Sequence, residues 1–116
     1  MTVNDALKEK NIIVAGDTGN PEKYAYHIKK ALLENGYHVY EVNKSNPEIS
    51  KVPEGFHILD LVVNPKRGLE LLSSCPFVLS GVVIQPGAGS DEIRSYLEKK
   101  GIPYVDGCVL KALSES

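Results

Sequence analysis

Cysteine is scarce in this chain, with only Cys75 and Cys108 present. Two thiols are too few for a disulfide framework, and these two lack metal-ligand spacing. A reducing cytosol is therefore the expected address. A basic surplus is missing as well: 13 Lys and Arg stand against 15 Asp and Glu, for a net charge of −2. A general nucleic-acid binder carries a basic excess, so nucleic acid is not an expected partner. Long hydrophobic runs are also absent. The longest, such as residues 77–84, are broken by Ser80 and Gly81 and are too short to span a bilayer, so no membrane partner is expected. The start, Met1-Thr2-Val3-Asn4-Asp5, has no basic region followed by an apolar stretch, and no secretory signal is expected. Neither an internal repeat nor a low-complexity segment stands out.

What is present suits a soluble globular protein. Apolar residues make up 42% and charged residues 24% of the 116, and both the size and the composition fit one domain over residues 1–116. The chain then alternates strand and helix signals. Ile12-Ile13-Val14-Ala15, ending at Gly16, is a short β-branched run suited to a strand buried on both faces. Asn20-Pro21 predicts a helix start, since Asn can cap and Pro at the first position gives up an N–H that had no partner. Tyr24, Ile28, Ala31 and Leu32 continue at helical spacing up to a stop at Asn35-Gly36.

Residues 37–42, 58–63, 78–84 and 102–105 read as the remaining strands. Asn64-Pro65 repeats the cap-and-proline start, with Leu69 and Leu72 inward. Ser90, followed by Asp91 and Glu92, predicts a capped helix ending at Gly101. Shorter helical pieces are expected at 4–10 and 109–113. The polar stretch 43–56, with Pro47, Pro53 and Gly55, is long for a connection here, and such loops are functional or mobile. Strands alternating with helices predict an α/β fold: a three-layer, doubly wound, Rossmann-like domain with a parallel sheet of about five strands.

In such a sheet ligands bind beyond the carboxyl ends of the strands. Gly16-Asp17-Thr18-Gly19 follows the first strand, and the next helix start offers free N–H groups to an anion. The dinucleotide pattern G-x-G-x-x-G is not met, because Thr18 and Pro21 occupy its second and third glycine positions. After the second strand come Asn43 and Lys44. A lysine there suits a phosphorylated ribose better than the free hydroxyls of NAD, although Glu41 nearby leaves NAD open. Asn64-Pro65 and Gln85-Pro86-Gly87 end the third and fourth strands with polar or small groups. Each is also good turn and capping chemistry.

In their order along the chain, Gly16-x-Thr18, Asn35-Gly36-Tyr37-x-Val39-Tyr40-x-Val42-Asn43, Ile84-Gln85-Pro86-Gly87 and Asp106-x-Cys108 resemble the small stand-alone CoA-binding domain proteins. That fold also forms the CoA-binding domain of the succinyl-CoA synthetase α subunit. The resemblance runs from about Leu7 to about Leu110. It implies a CoA site in which the Gly16, Asp17 and Thr18 turn approaches the phosphates and Asn43 and Lys44 lie at the nucleotide end. Asn64 and Pro65 would border the adenine or pantetheine path, and Gln85 and Gly87 would line the far side. Members commonly have Ser-Pro and a nearby Arg in the first loop, where this chain has Asp17-Thr18-Gly19 and Lys23-Tyr24. Their aromatic-Arg pair after the third strand is replaced here by Val63-Asn64-Pro65-Lys66-Arg67.

No catalytic residue and no metal site is expected. His27, His38 and His57 fall on separate elements with no metal spacing and no Ser/His/acid set. Asp60, inside an apolar strand, reads as a hydrogen-bonded or edge carboxylate. A buried one would instead have a raised pKa and could serve as a base. Cys108 reads as a small core residue, with a mixed disulfide to a thiol such as that of CoA as the functional alternative. The leading function is a CoA or acyl-CoA binding protein without catalysis of its own. The alternatives are an NADP-linked oxidoreductase or redox-sensing module, and an interaction domain that has lost its nucleotide. A protein partner or homo-oligomer is compatible with all three.

Overall fold

The β-branched run after Asn11 forms β1 (Asn11–Gly16), buried over nearly its whole length, as a strand covered on both faces must be. In the computed structural model, which describes residues 1–115, β1 lies inside a sheet with β2 (His38–Val42), β3 (Ile58–Val62), β4 (Gly81–Ile84) and β5 (Tyr104–Asp106). The order is β2-β1-β3-β4-β5 and every neighbouring pair is parallel. The register sets Ala15 beside Val42, Gly16 beside Val62, Leu61 beside Ile84 and Ile84 beside Asp106. The carboxyl ends of all five strands therefore share one edge.

Helices α1 (Val3–Ala6), α2 (Tyr24–Glu34), α3 (Pro65–Ser74), α4 (Asp91–Lys100) and α5 (Val109–Glu115) flank the sheet. Alternation along each strand divides the apolar side chains between the two faces. Ile13, Ala15, Leu59, Leu61, Val82 and Ile84 pack with Leu71 and Leu72 of α3 and Ile93 and Leu97 of α4. Ile12, Val14, Ile58 and Val83 pack with Ala6, Ile28, Leu32 and Val109 of α1, α2 and α5. The result is the expected α/β Rossmann-like architecture. Asp60 belongs to the second face, in register between Val14 and Val83.

Local chemistry explains most element ends. Asn64 Oδ1 accepts from the Arg67 N–H and Ser90 Oγ accepts from the Ile93 N–H, the caps expected for α3 and α4. Basic Lys99 and Lys100 close α4 against its dipole, just before Gly101. The first expected helix start is displaced: Asn20-Pro21 belongs to a turn, in which Asn20 Oδ1 accepts from the Glu22 N–H, and α2 begins at Tyr24. The fourth strand begins at Gly81 rather than 78, because Val78 faces solvent and only Leu79 of that approach turns inward. The fifth is shifted to Tyr104–Asp106. The N-terminal helix is shorter than expected, with a Thr2–Asp5 capping box at its start.

The 43–56 connection is pinned at several points. Asn46 Nδ2 donates to the Glu41 carbonyl at 2.7 Å, and Asn11 Nδ2 donates to that of Gly55 at 3.0 Å. A single 3₁₀ turn, Ile49–Lys51, buries Ile49 in the core.

Candidate functional site

The strand order reverses between β1 and β3, since the chain steps from β1 to β2 on one side and from β3 to β4 and β5 on the other. Ligand crevices form beyond the carboxyl ends at such a reversal. A cavity of ≈ 580 Å³ opens there, within the size range of small-molecule sites. Gly16, Val62 and Val63 line it from the strand ends, Asp17, Lys23, Tyr24 and Ala25 from the β1–α2 segment and the start of α2, Lys44 and Asn64 from the remaining connections, and Arg67 from α3.

Gly16 is set by close packing. A Cβ there would lie 2.8 Å from the Ala25 Cβ and 2.9 Å from the Val62 carbonyl oxygen. The absent side chain lets the start of α2 approach the sheet and leaves bare backbone at the cavity wall. Gly16→Ala is expected to cost about 1–3 kcal/mol, the usual penalty for overpacking a tight core. A denaturation midpoint equal to that of the parent would contradict this.

Asn43 builds the loop that presents Lys44. Its Oδ1 accepts from the Ser45 and Asn46 N–H groups, and its Nδ2 donates to Thr18 Oγ1 at 2.9 Å. That last bond ties the end of β2 to the turn after β1. Arg67, in the first turn of α3, donates from Nη2 to the Pro47 carbonyl at 2.8 Å and so reaches back to the same loop. Three cations, Lys23, Lys44 and Arg67, thus line the crevice against one carboxylate, Asp17. The start of α2 lies at the same wall, with no side-chain cap from Lys23. Unpaired N–H groups and clustered cations are the features that receive phosphate. Glu41 pairs with Lys29 of α2 at 3.3 Å and is not among the residues lining the cavity.

Of the residues singled out in the sequence, Gly16, Asp17, Lys44 and Asn64 come together on this cavity. Thr18 is fully buried beside it, and Asn43 supports its rim. Pro65 lines a different cavity, of ≈ 390 Å³, with Lys66, Leu69, Ser90 and others. Gln85 is buried at the end of β4, and Gly87 sits in the following turn with φ +89°. Lys23, Tyr24 and Arg67 were not anticipated as lining residues. The run Lys66-Arg67 after a capped helix start was the available signal for the last of these.

Residues 10–114 match the CoA binding domain family. The chain belongs to that family. Its fold recurs in a conserved hypothetical protein from Pyrococcus furiosus, 31% identical over 92% of this chain and 99% of the other, with a TM-score of 0.76. It recurs in a hypothetical protein from Pyrococcus horikoshii OT3, 25% identical over 96% of this chain and 89% of the other, at 0.81. A Thermus thermophilus protein, 22% identical over 99% and 98%, shares the fold at 0.79. No curated protein matches the chain.

This CoA-binding domain carries a second polar cluster next to the crevice. Tyr24, on the crevice wall, also borders a neighbouring cavity of ≈ 540 Å³ together with Cys108. Tyr24 Oη and Cys108 Sγ share a hydrogen bond of 3.0 Å. Gln85 Oε1 accepts from the Val109 N–H at 2.9 Å, while its buried Nε2 is left to the Cys108 sulfur. Asp60 is fully buried, and neither of its oxygens has a hydrogen-bond partner among the described residues. The edge or hydrogen-bonded role expected for Asp60 is therefore corrected. Burial, and next the charge of Cys108, push its carboxyl pKa well above the ordinary value. Burial would also raise the Cys108 thiol. The Tyr24 hydroxyl, the Lys111 N–H, the Gln85 amide and the Leu110 N–H outweigh that and lower it below its ordinary value.

Proposed function

We propose that this protein binds coenzyme A, free or acylated, in the crevice between the ends of β1 and β3. The observation that carries this reading is the convergence of Lys23, Lys44 and Arg67 with the start of α2 on one cavity. CoA is a phosphate-rich nucleotide, and point cations, a guanidinium fork and helix N–H groups are its natural partners. Lys44 and Arg67 would hold the phosphorylated ribose. The Gly16 backbone and the N–H groups at the start of α2 would take the diphosphate. Membership of the CoA-binding domain family supports the same assignment. Both cysteines are free, which suits the reducing cytoplasm as the place of action.

The same cations suit the phosphorylated ribose of NADP, which keeps that cofactor as the competing ligand. Pairing of Glu41 with Lys29 leaves no carboxylate from the end of β2 for the ribose of NAD. A thermal-shift panel with CoA, acetyl-CoA, NAD, NADP and ATP separates these. A ligand at a hundred times its dissociation constant stabilises the fold by about 2.7 kcal/mol, a rise on the order of ten degrees for a chain of this size. The expected result is a rise with CoA and acetyl-CoA that the other three do not produce. A rise confined to NADP would move the assignment to a redox cofactor. Folded, ligand-free protein that responds to none of them would leave a domain without a nucleotide.

A further inference from the structure

We infer that Cys108, with Tyr24, Gln85 and Asp60 around it, is a thiol-exchange site at which the protein forms a mixed disulfide with the thiol of CoA. This rests on the CoA reading above. The sulfur stands at the entry to α5, beyond the end of β5, on the same sheet edge as the crevice. The Tyr24 ring separates the two places. It lines the crevice on one side, and its hydroxyl meets the sulfur at 3.0 Å on the other. The long arm of CoA places its thiol far from its phosphates, so one molecule has the extent to occupy both.

Gln85 is held by its Oε1 on the Val109 N–H, which leaves its buried Nε2 to the Cys108 sulfur. A buried group near the sulfur points to a ligand. Asp60 lies close enough to feel the charge of Cys108, and its two oxygens have no hydrogen-bond partner among the described residues. Buried polar groups without partners are rare and costly. The CoA arm carries amide groups that would supply those partners. Cys75 offers a contrast within the same chain. Its Sγ donates to the Phe77 carbonyl at 3.4 Å and, chiefly through burial, its thiol pKa is raised.

The reaction is an exchange with CoA disulfide. The Cys108 thiolate attacks one sulfur of that disulfide and a new S–S bond forms as the old one breaks. The displaced CoA leaves as a thiolate and takes a proton from solvent. Cys108 is oxidised, the departing thiol is reduced, and no further oxidant is needed. Tyr24 acts as a positioning residue, donating its hydroxyl to the sulfur anion.

The test is incubation of the reduced protein with CoA disulfide, and separately with cystamine, followed by intact-mass and peptide analysis. One CoA adduct on Cys108, reversed by reductant, is expected in the parent and in Cys75→Ser. Cys108→Ser and Cys108→Ala, each checked for an unchanged melt, should give none. CoA disulfide should react at least about tenfold faster than cystamine, because binding raises its effective concentration at the sulfur. Tyr24→Phe should shift the midpoint of the pH–rate profile with cystamine upward, which loss of packing alone would not do. Protein that shows a thermal rise with CoA yet gains no adduct, or gains it equally on Cys75, would overturn the exchange site and leave CoA binding standing. A Cys108 that reacts equally with both disulfides, in protein showing no rise with CoA, would overturn CoA as the partner. The failure would then lie in the binding reading.

Discussion

Replacing Lys44 and Arg67 together with alanine should weaken CoA binding on the order of a hundredfold or more. Each cation is assigned to phosphate oxygens, and hydrogen bonds to charged groups contribute about 1.5–3 kcal/mol each. Lys44 is exposed at the rim, and the loop holding it is built by Asn43 rather than by the lysine itself. Arg67 donates to the Pro47 carbonyl and sits 3.6 Å from Glu70, both at partly exposed positions. Exposed pairs of this kind add about 0–1 kcal/mol to stability. The melt of the ligand-free double variant should therefore fall by only a few degrees. Calorimetric titration of both proteins with CoA gives the comparison. A double variant that binds as tightly as the parent would remove the phosphate role from these residues.

The second large effect concerns Asp60 and pH. Burial favours the neutral acid, so folded Asp60 keeps its proton at pH values where the same group in the unfolded chain has lost its own. Its folded pKa is raised, so its contribution to stability is fully present below the unfolded value, near 3.8, and is lost as pH rises through the folded value. Within that window the loss is about 1.4 kcal/mol per pH unit. Asp60→Asn has nearly the same shape and does not ionise. Its stability relative to the parent should be nearly level at pH 4 and should improve steadily as pH rises. Urea denaturation of both proteins across pH 4 to 8 measures the difference, which cancels the other carboxylates. A difference independent of pH would show that Asp60 ionises as freely in the folded chain as in the unfolded one.

The parts of this structure that follow short-range rules were legible in the sequence. The run from Ile12 to Ala15 became β1, and Asn64 and Ser90 cap α3 and α4, because apolar periodicity and capping act within a few residues. The same rules placed a helix start at Asn20-Pro21, where the chain instead makes a turn before α2. A capping residue and a proline serve an isolated turn as well as a helix, and only packing decides between them. The apolar run that starts at Val78 predicts strand over residues 78–80, yet Val78 is 80% exposed.

The site divides in the same way. Gly16 and Lys44 follow strands and were visible as loop chemistry. Arg67 reaches the crevice across the 43–56 connection, by a contact of twenty residues' separation. The Tyr24–Cys108 bond spans eighty-four. Asp60 showed as an oddity in an apolar strand, but its lack of partners depends on Val14 and Val83 flanking it in register. Such juxtapositions come from the sheet order, which no local pattern states.

Calorimetric titration of folded, ligand-free protein with CoA and with 3′-dephospho-CoA tests the central claim most directly. The account predicts that CoA binds and that removing the ribose phosphate weakens it on the order of a hundredfold or more, the worth of two charge-assisted contacts. Binding of CoA with no such difference would contradict the assignment of Lys44 and Arg67 to that phosphate. No binding of CoA at all would contradict the proposed function itself.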